Sequence, residues 1–235
     1  MTFKLSEGSK ALINNNRFAL VFASLLLMFL AEAFGGITLQ PLQGAARNVL
    51  LFGILVLGLL GIAKTELSRR TLIYSYVVLC GITLFTMDAE QVVYKVASNV
   101  AVLFFLFCCS MLTERYLLTR QKVDREVLLA ALCGYAILVM LFASAFVLLD
   151  TAHGGAFQFA DTSPLAQDAA TTIGSSSRAL YFSLVTITTL GYGDITPVTQ
   201  DARLFAALEA FVGQLYLAIL VARLVGLQLL NQGKD

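Results

Sequence analysis

Residues 186–197 read TITTLGYGDITP. Gly191 and Gly193 stand two apart in this run. Glycine is the residue a chain uses where φ must be positive or where backbones approach closely. The side chains around them are two hydroxyls (Thr188, Thr189), a phenol (Tyr192) and one carboxylate (Asp194), with no nucleophile–base pair. The segment just before it, 178–187, is apolar and about half as long as the roughly 20 residues a bilayer-spanning helix needs. A short helix followed by glycine-rich irregular backbone, and then by a spanning helix, is a re-entrant element. Lipid cannot satisfy such a backbone, so it is buried in protein or lines a water-filled path. The chemistry to expect is passage rather than bond making.

Reactive side chains are scarce elsewhere. Cys80, Cys108, Cys109 and Cys133 all lie in apolar stretches, and the adjacent pair 108–109 is not a metal-ligand spacing, so buried thiols are expected. His153, the one histidine, has no cysteine cluster beside it and reads as a loop residue. No phosphate-binding glycine loop is present. These features disfavour an enzyme and call for no organic cofactor.

The elements that must position the run are membrane helices. Of 235 residues, 58% are hydrophobic and only 13% charged, against about 25% charged in an ordinary soluble domain. Mean hydropathy is +0.81. This composition excludes disorder, a basic nucleic-acid-binding domain and a water-soluble enzyme; nucleic acid is not an expected partner, and the lipid bilayer is. Six apolar segments, 18–38, 45–63, 71–87, 92–112, 127–149 and 204–230, predict an all-α membrane protein with six transmembrane helices, the re-entrant helix lying between the fifth and sixth. The resulting division is a cytoplasmic N-terminus (1–17), a four-helix bundle (18–112), a cytoplasmic linker (113–126), a pore domain (127–230) and a tail (231–235). Within the pore domain come an outer helix 127–149, an extracellular turret 150–177, a pore helix 178–187, a filter 188–194 and an inner helix 204–230.

Charge gives the orientation. Lys4, Lys10, Arg17, Lys64, Arg69, Arg70, Arg115, Arg120, Lys122, Arg125, Arg223 and Lys234 fall on one side if six helices alternate, which the positive-inside rule makes cytoplasmic, with both termini. The other side keeps only Arg47, Arg178 and Arg203 beside Asp88, Glu90, Asp150, Asp161, Asp168, Asp194 and Asp201. The net charge of +1 thus hides a dipole whose acidic outer face suits the collection of cations, although exposed carboxylates are screened within about 10 Å.

The stretch Thr189-Leu190-Gly191-Tyr192-Gly193 resembles the selectivity filter TVGYG of the tetrameric potassium channel superfamily, in a prokaryotic-type six-helix setting. The resemblance is specific over about residues 178–226. It implies K⁺ as the permeant ion, held at Thr189, Leu190, Gly191 and Tyr192 by carbonyl oxygens that replace its water. The Thr189 hydroxyl adds a ring of oxygens at the inner end. Leu190 departs from the usual Val, which alters packing behind the filter. Thr188, Asp194, Tyr181 and Phe182 are the expected filter supports. Tyr181 and Phe182 stand where relatives often carry two tryptophans, and this chain has no Trp. A hydrogen bond from the Tyr181 hydroxyl to Asp194 is expected to hold the filter open. Gly213 follows Gly193 where the superfamily often has a hinge glycine; helix packing is an equally good reading. Gln214, Leu217 and Val221 follow at helical spacing and are expected to face a cavity and gate. One filter per chain, where four are needed, implies a homotetramer in the cell (plasma) membrane, a prokaryotic inner membrane.

The first four helices look like a voltage sensor without its charges. Segment 92–112 carries only Lys95. Moving one charge through the field is worth about 2.3 kcal/mol per 100 mV, so at best shallow voltage dependence is expected. Glu32 and Lys95, near the outer ends of the first and fourth helices, either pair or snorkel separately. Glu209, one turn before Gly213, is either a hydrogen-bonding group behind the filter or a buried carboxyl between helices. The leading expectation is a potassium-selective channel passing K⁺ down its gradient, weakly or not voltage-gated. The alternatives are a less selective cation channel and a non-conducting sensor or scaffold with a vestigial pore. A secondary transporter is disfavoured, because only one broken element appears.

Overall fold

The computed structural model describes residues 17–38, 52–53, 55–56, 59–60, 63, 65–86, 91–121, 123–160 and 176–232. In chain order the elements are α1 (Arg17–Thr38), α2 (Glu66–Phe85), α3 (Val92–Thr119), α4 (Arg125–His153), β1 (Phe157–Phe159), α5 (Ser176–Ile187), β2 (Ile195–Pro197) and α6 (Gln200–Gln232). Among the described residues three stretches are long and apolar enough to cross a membrane: Val92–Thr119, Arg125–His153 and Gln200–Leu229. The apolar part of α1 that qualifies is shorter, Phe18–Leu30. In α2 the first turns carry Glu66, Arg69 and Arg70, which form exposed i,i+3 and i,i+4 pairs and leave a shorter apolar run. The expected second span, 45–63, lies largely outside the described residues. Its described positions include Phe52, Leu55, Val56 and Leu59, buried at the i, i+3, i+4, i+7 spacing of one helix face.

Among the described residues two apolar clusters organise the chain. The first joins α1, Phe52, Leu55, Val56 and Leu59, α2, α3 and the N-terminal half of α4, with Phe18, Leu25, Leu72, Phe105, Leu106 and Cys133 at its centre. The second joins the rest of α4 to β1, α5 and the start of α6, through Phe146, Phe157, Phe182, Ile187 and Ala202. Helix α4 is therefore the wall shared by the bundle and the segments around the glycine run. Lipid is as apolar as Leu, so within a bilayer these contacts stabilise through close packing and hydrogen bonds rather than water exclusion.

Helix ends depart from the hydropathy bounds because polar residues, not lipid thickness, terminate them. The expected linker 113–126 is helical through Thr119: Thr113 is buried and its hydroxyl donates to the Cys109 carbonyl within the helix. Asp124 opens α4 by accepting from the Val127 N–H at 2.8 Å, and Gly154, at φ 68°, closes it. The outer helix expected at 127–149 thus runs Arg125–His153, and His153 is its last residue rather than a loop residue. The pore helix expected at 178–187 begins at Ser176, and the inner helix expected at 204–230 runs Gln200–Gln232.

The expected turret, 150–177, starts inside α4 and then becomes a strand. Asp150 is buried and accepts from the Ala156 N–H at 2.7 Å, turning the chain into β1. Strand β1 pairs antiparallel with β2, Phe157 opposite Pro197 and Phe159 opposite Ile195. Beyond the ladder, Ala160 N–H donates to the Asp194 carbonyl at 2.8 Å and Val198 N–H to the Ala156 carbonyl at 2.9 Å. This two-stranded ribbon, unforeseen in an all-α reading, ties the chain just after the glycine run to the top of α4. Residues 161–175 lie outside the described part.

Candidate functional site

Helix α5 is short, and its C-terminus aims the glycine run. The Leu190 and Gly191 N–H groups both donate to the Val185 carbonyl, at 2.9 and 3.2 Å, and Thr189 N–H donates to the Thr186 carbonyl at 2.9 Å. The N–H groups of Thr189, Leu190 and Gly191 therefore point back at α5. Its conformation alternates: φ is 59° at Thr189, 59° at Gly191 and 78° at Gly193, while Leu190 and Tyr192 have no positive φ. Open space surrounds the Cα of Gly191 and Gly193, so backbone conformation, not crowding, selects glycine there. Thr189 is β-branched with φ > 0, a strained state costing about 1–3 kcal/mol that folded chains keep at functional sites. Positive and negative φ thus alternate from Thr189 to Gly193. Among the described residues no hydrogen bond reaches the carbonyls of Thr189, Leu190, Gly191, Tyr192 or Gly193, and residues 188–194 are all exposed on the single chain. The result is a strip of carbonyls that lack hydrogen-bond partners among the described residues and belong to residues exposed on the single chain. Such a strip can coordinate a dehydrated cation once it meets partners of the same kind.

The expected supports divide their work. Tyr181 donates its hydroxyl to Asp194 Oδ2 at 2.8 Å, bridging α5 to the outer end of the run. Phe182 faces the other way, in edge contact with Phe146 and Phe157 at ring-centroid distances of 4.9 and 5.1 Å. It anchors α5 to α4 and β1. Thr188 bonds back to the Leu184 carbonyl at 2.6 Å. Leu190 is 55% exposed, so its side chain lacks a packed bed within one chain.

On α6, Gly213 is a packing glycine. A Cβ there would collide with Ile187 Cγ1 and stand 3.0 Å from the Ile187 carbonyl oxygen, so the end of α5 rests directly on this residue. One turn earlier Glu209 is fully buried, with Oε1 hydrogen-bonded to the Ser183 hydroxyl. Gln214, Leu217 and Val221 are exposed on the single chain. Most of α6 is exposed, including Phe211 at 61% and Leu204 at 69%. Lys95 is exposed on the first turn of α3, and the Glu32 side chain lies outside the described part, as does any pairing between them.

Several participants escape a reading by motif. Ser183 is the one aliphatic hydroxyl in the stretch ALYFSLV, which is the signal that could have singled it out. Val185 and Ile187 act through main-chain oxygens, which no side-chain motif reveals. Arg223, near the end of α6, donates from Nη2 to the Leu118 and Arg120 carbonyls at 2.7 and 3.0 Å, satisfying acceptors left open where α3 ends. His153 Nε2 lies 3.3 Å from Asp201 Oδ2, joining α4 to the first turn of α6.

Residues 134–227 match a protein-family model described as an ion channel. A stretch of 47 residues is 47% identical to "Two pore potassium channel c" of Oryza sativa subsp. japonica. That alignment covers 20% of this chain and 10% of the rice protein, so the chain matches only a small part of that relative's length. No solved structure matches the chain.

Proposed function

We propose, from the premise that residues 134–227 are an ion channel domain of the potassium channel superfamily, that the chain assembles as a homotetramer whose four glycine runs form a K⁺-selective filter. The observation that carries this reading is the run 189–193 itself: alternating φ, N–H groups tied back to α5, and carbonyls left unpaired and open. One strip cannot surround an ion. Four around an axis supply rings of oxygens that replace its hydration shell, and K⁺ passes down its electrochemical gradient between successive rings. Thr189, Leu190, Gly191 and Tyr192 contribute the ion-binding carbonyls, and Tyr181 and Asp194 brace the outer end. The exposed apolar faces of α6 supply the surface for neighbouring subunits and lipid. Gln214, Leu217 and Val221 line the cavity below, in a cell membrane with both chain ends on the cytoplasmic side.

A less selective cation channel is the second reading. It rests on Leu190, which stands where the filters it resembles carry Val and which is unsupported within one chain. Flux from liposomes holding the purified full chain, with K⁺ or Na⁺ as the permeant ion, decides between them. K⁺ flux alone supports the selective channel, flux of both supports the second reading, and flux of neither overturns both.

A further inference from the structure

Ser183 sits inside α5 with no exposed surface and two polar neighbours on two other helices. Its Oγ is 2.8 Å from the Val139 carbonyl oxygen of α4 and is hydrogen-bonded to Glu209 Oε1 of α6. A serine hydroxyl has one proton to donate. Given to Val139, it leaves the contact with Glu209 to be made by a proton on the carboxyl, with the Ser183 oxygen accepting. Given to Glu209, it leaves Ser183 Oγ and the Val139 carbonyl as two acceptors face to face. The second carboxyl oxygen, Oε2, is buried and has no hydrogen-bond partner among the described residues. An ionised carboxylate there would keep a charged oxygen unpaired in a dry interior, whereas a carboxylic acid leaves only a neutral oxygen unpaired. Counting donors and acceptors therefore favours the acid as donor.

The position of this pin gives it a purpose. Ser183 lies two residues before Val185, whose carbonyl receives the Leu190 and Gly191 N–H groups. One turn below Glu209, Gly213 carries the Ile187 carbonyl. Helix α5 is thus held at two successive turns of α6, once by hydrogen bonding and once by packing. Both holds act on the carbonyl-bearing end that aims the glycine run.

We propose that Glu209 is a positioning residue for the filter: as a hydrogen-bond donor from the inner helix it fixes Ser183, and through Ser183 the register of the pore-helix end against the run. This inference rests on the channel reading above. It assigns to an inner-helix acid a part in keeping the filter conductive, distinct from the Tyr181–Asp194 bond at the outer end.

The experiment compares the wild-type full chain with Glu209→Gln, Glu209→Ala, Ser183→Ala and the double variant Ser183→Ala/Glu209→Ala, each in liposomes. Initial K⁺ flux, its decay under a sustained potential and the K⁺/Na⁺ ratio are read for each. Glutamine keeps a donor of nearly the same shape, so Glu209→Gln is expected to hold selectivity and decay within about twofold of wild type. The two alanine variants are expected to decay roughly tenfold faster, as for loss of one buried hydrogen bond, and the double variant no faster than either. Infrared spectra give a readout independent of conduction: wild type shows a carboxylic-acid carbonyl band that Glu209→Gln lacks. Alanine variants that conduct like wild type overturn the proposal. So does Glu209→Gln decaying as fast as Glu209→Ala, or the absence of the acid band. A wild-type chain that conducts nothing overturns the channel reading itself, while the infrared band still reports on the donor.

Discussion

The Tyr181 hydroxyl lies 2.8 Å from Asp194 Oδ2, across the thirteen-residue separation that holds the whole glycine run. The contact joins the middle of α5 to the point where β2 begins, so it spans the run from behind. It is exposed, and water competes for both partners, so its effect lies in holding geometry rather than in global stability. Tyr181→Phe removes only the hydroxyl. Initial K⁺ flux should stay near wild type while its loss during sustained opening quickens several-fold, and Asp194→Asn should act in the same direction. Unchanged decay in Tyr181→Phe would show that the bond does not maintain the conducting run.

Gly213→Ala tests the contact between α6 and the end of α5. The new methyl would meet Ile187 Cγ1 and the Ile187 carbonyl, and the latter is backbone that cannot step aside cheaply. Overpacking of this kind costs about 1–3 kcal/mol. The melting temperature of the detergent-solubilised protein should fall, and Ile187→Ala in the same chain should recover part of the loss, leaving the share owed to the carbonyl. A Gly213→Ala variant that melts like wild type would favour the hinge over the packing reading.

How far residues announced these arrangements depends on what each contributes. Gly191 and Gly193 were legible, because a positive φ leaves a mark in residue type, and so was the Tyr181–Asp194 pair, because both ends are polar side chains beside a motif. Thr189 hides its positive φ behind a β-branched side chain that ordinarily avoids it. Ribbon β1–β2 was not legible: three-residue strands carry too little periodicity to stand out from a loop. The end of α3 was misplaced for a different reason. Hydropathy marks where lipid stops, whereas the helix continues through ERYLLT until its own hydrogen bonding ends at Thr119.

Arg223 offers a test at the opposite end of the pore region. Its guanidinium bonds the Leu118 and Arg120 carbonyls, so the last turn of α3 is held by a residue more than a hundred positions later. Arg223→Met keeps much of the stem and removes both bonds. Hydrogen exchange at the amides of Thr119 and Arg120 should quicken severalfold as that turn frays, while amides around Phe105 stay protected. Arg223→Lys, with a single ammonium in place of the planar fork, should recover part of the protection. Equal exchange in all three proteins would show that the last turn holds itself.

Voltage supplies the remaining prediction. From Val96 to Leu112 helix α3 carries no charge, and Lys95 is an exposed residue of its first turn. A charge must cross a large part of the field to sense it, and each full charge moved is worth about 2.3 kcal/mol per 100 mV. With no charged residue from Val96 to Leu112, the apolar run of α3 carries no charge through the middle of that field when the helix shifts. Planar-bilayer currents from the purified chain should therefore rise with voltage no more steeply than the ion gradient dictates, and Lys95→Gln should leave the relation unchanged. Steep activation that survives Lys95→Gln would require a voltage-sensing charge elsewhere, with Glu114 and Arg115 near the other end of α3 the first to test. Steep activation abolished by Lys95→Gln would mean that the first turn of α3 enters the field.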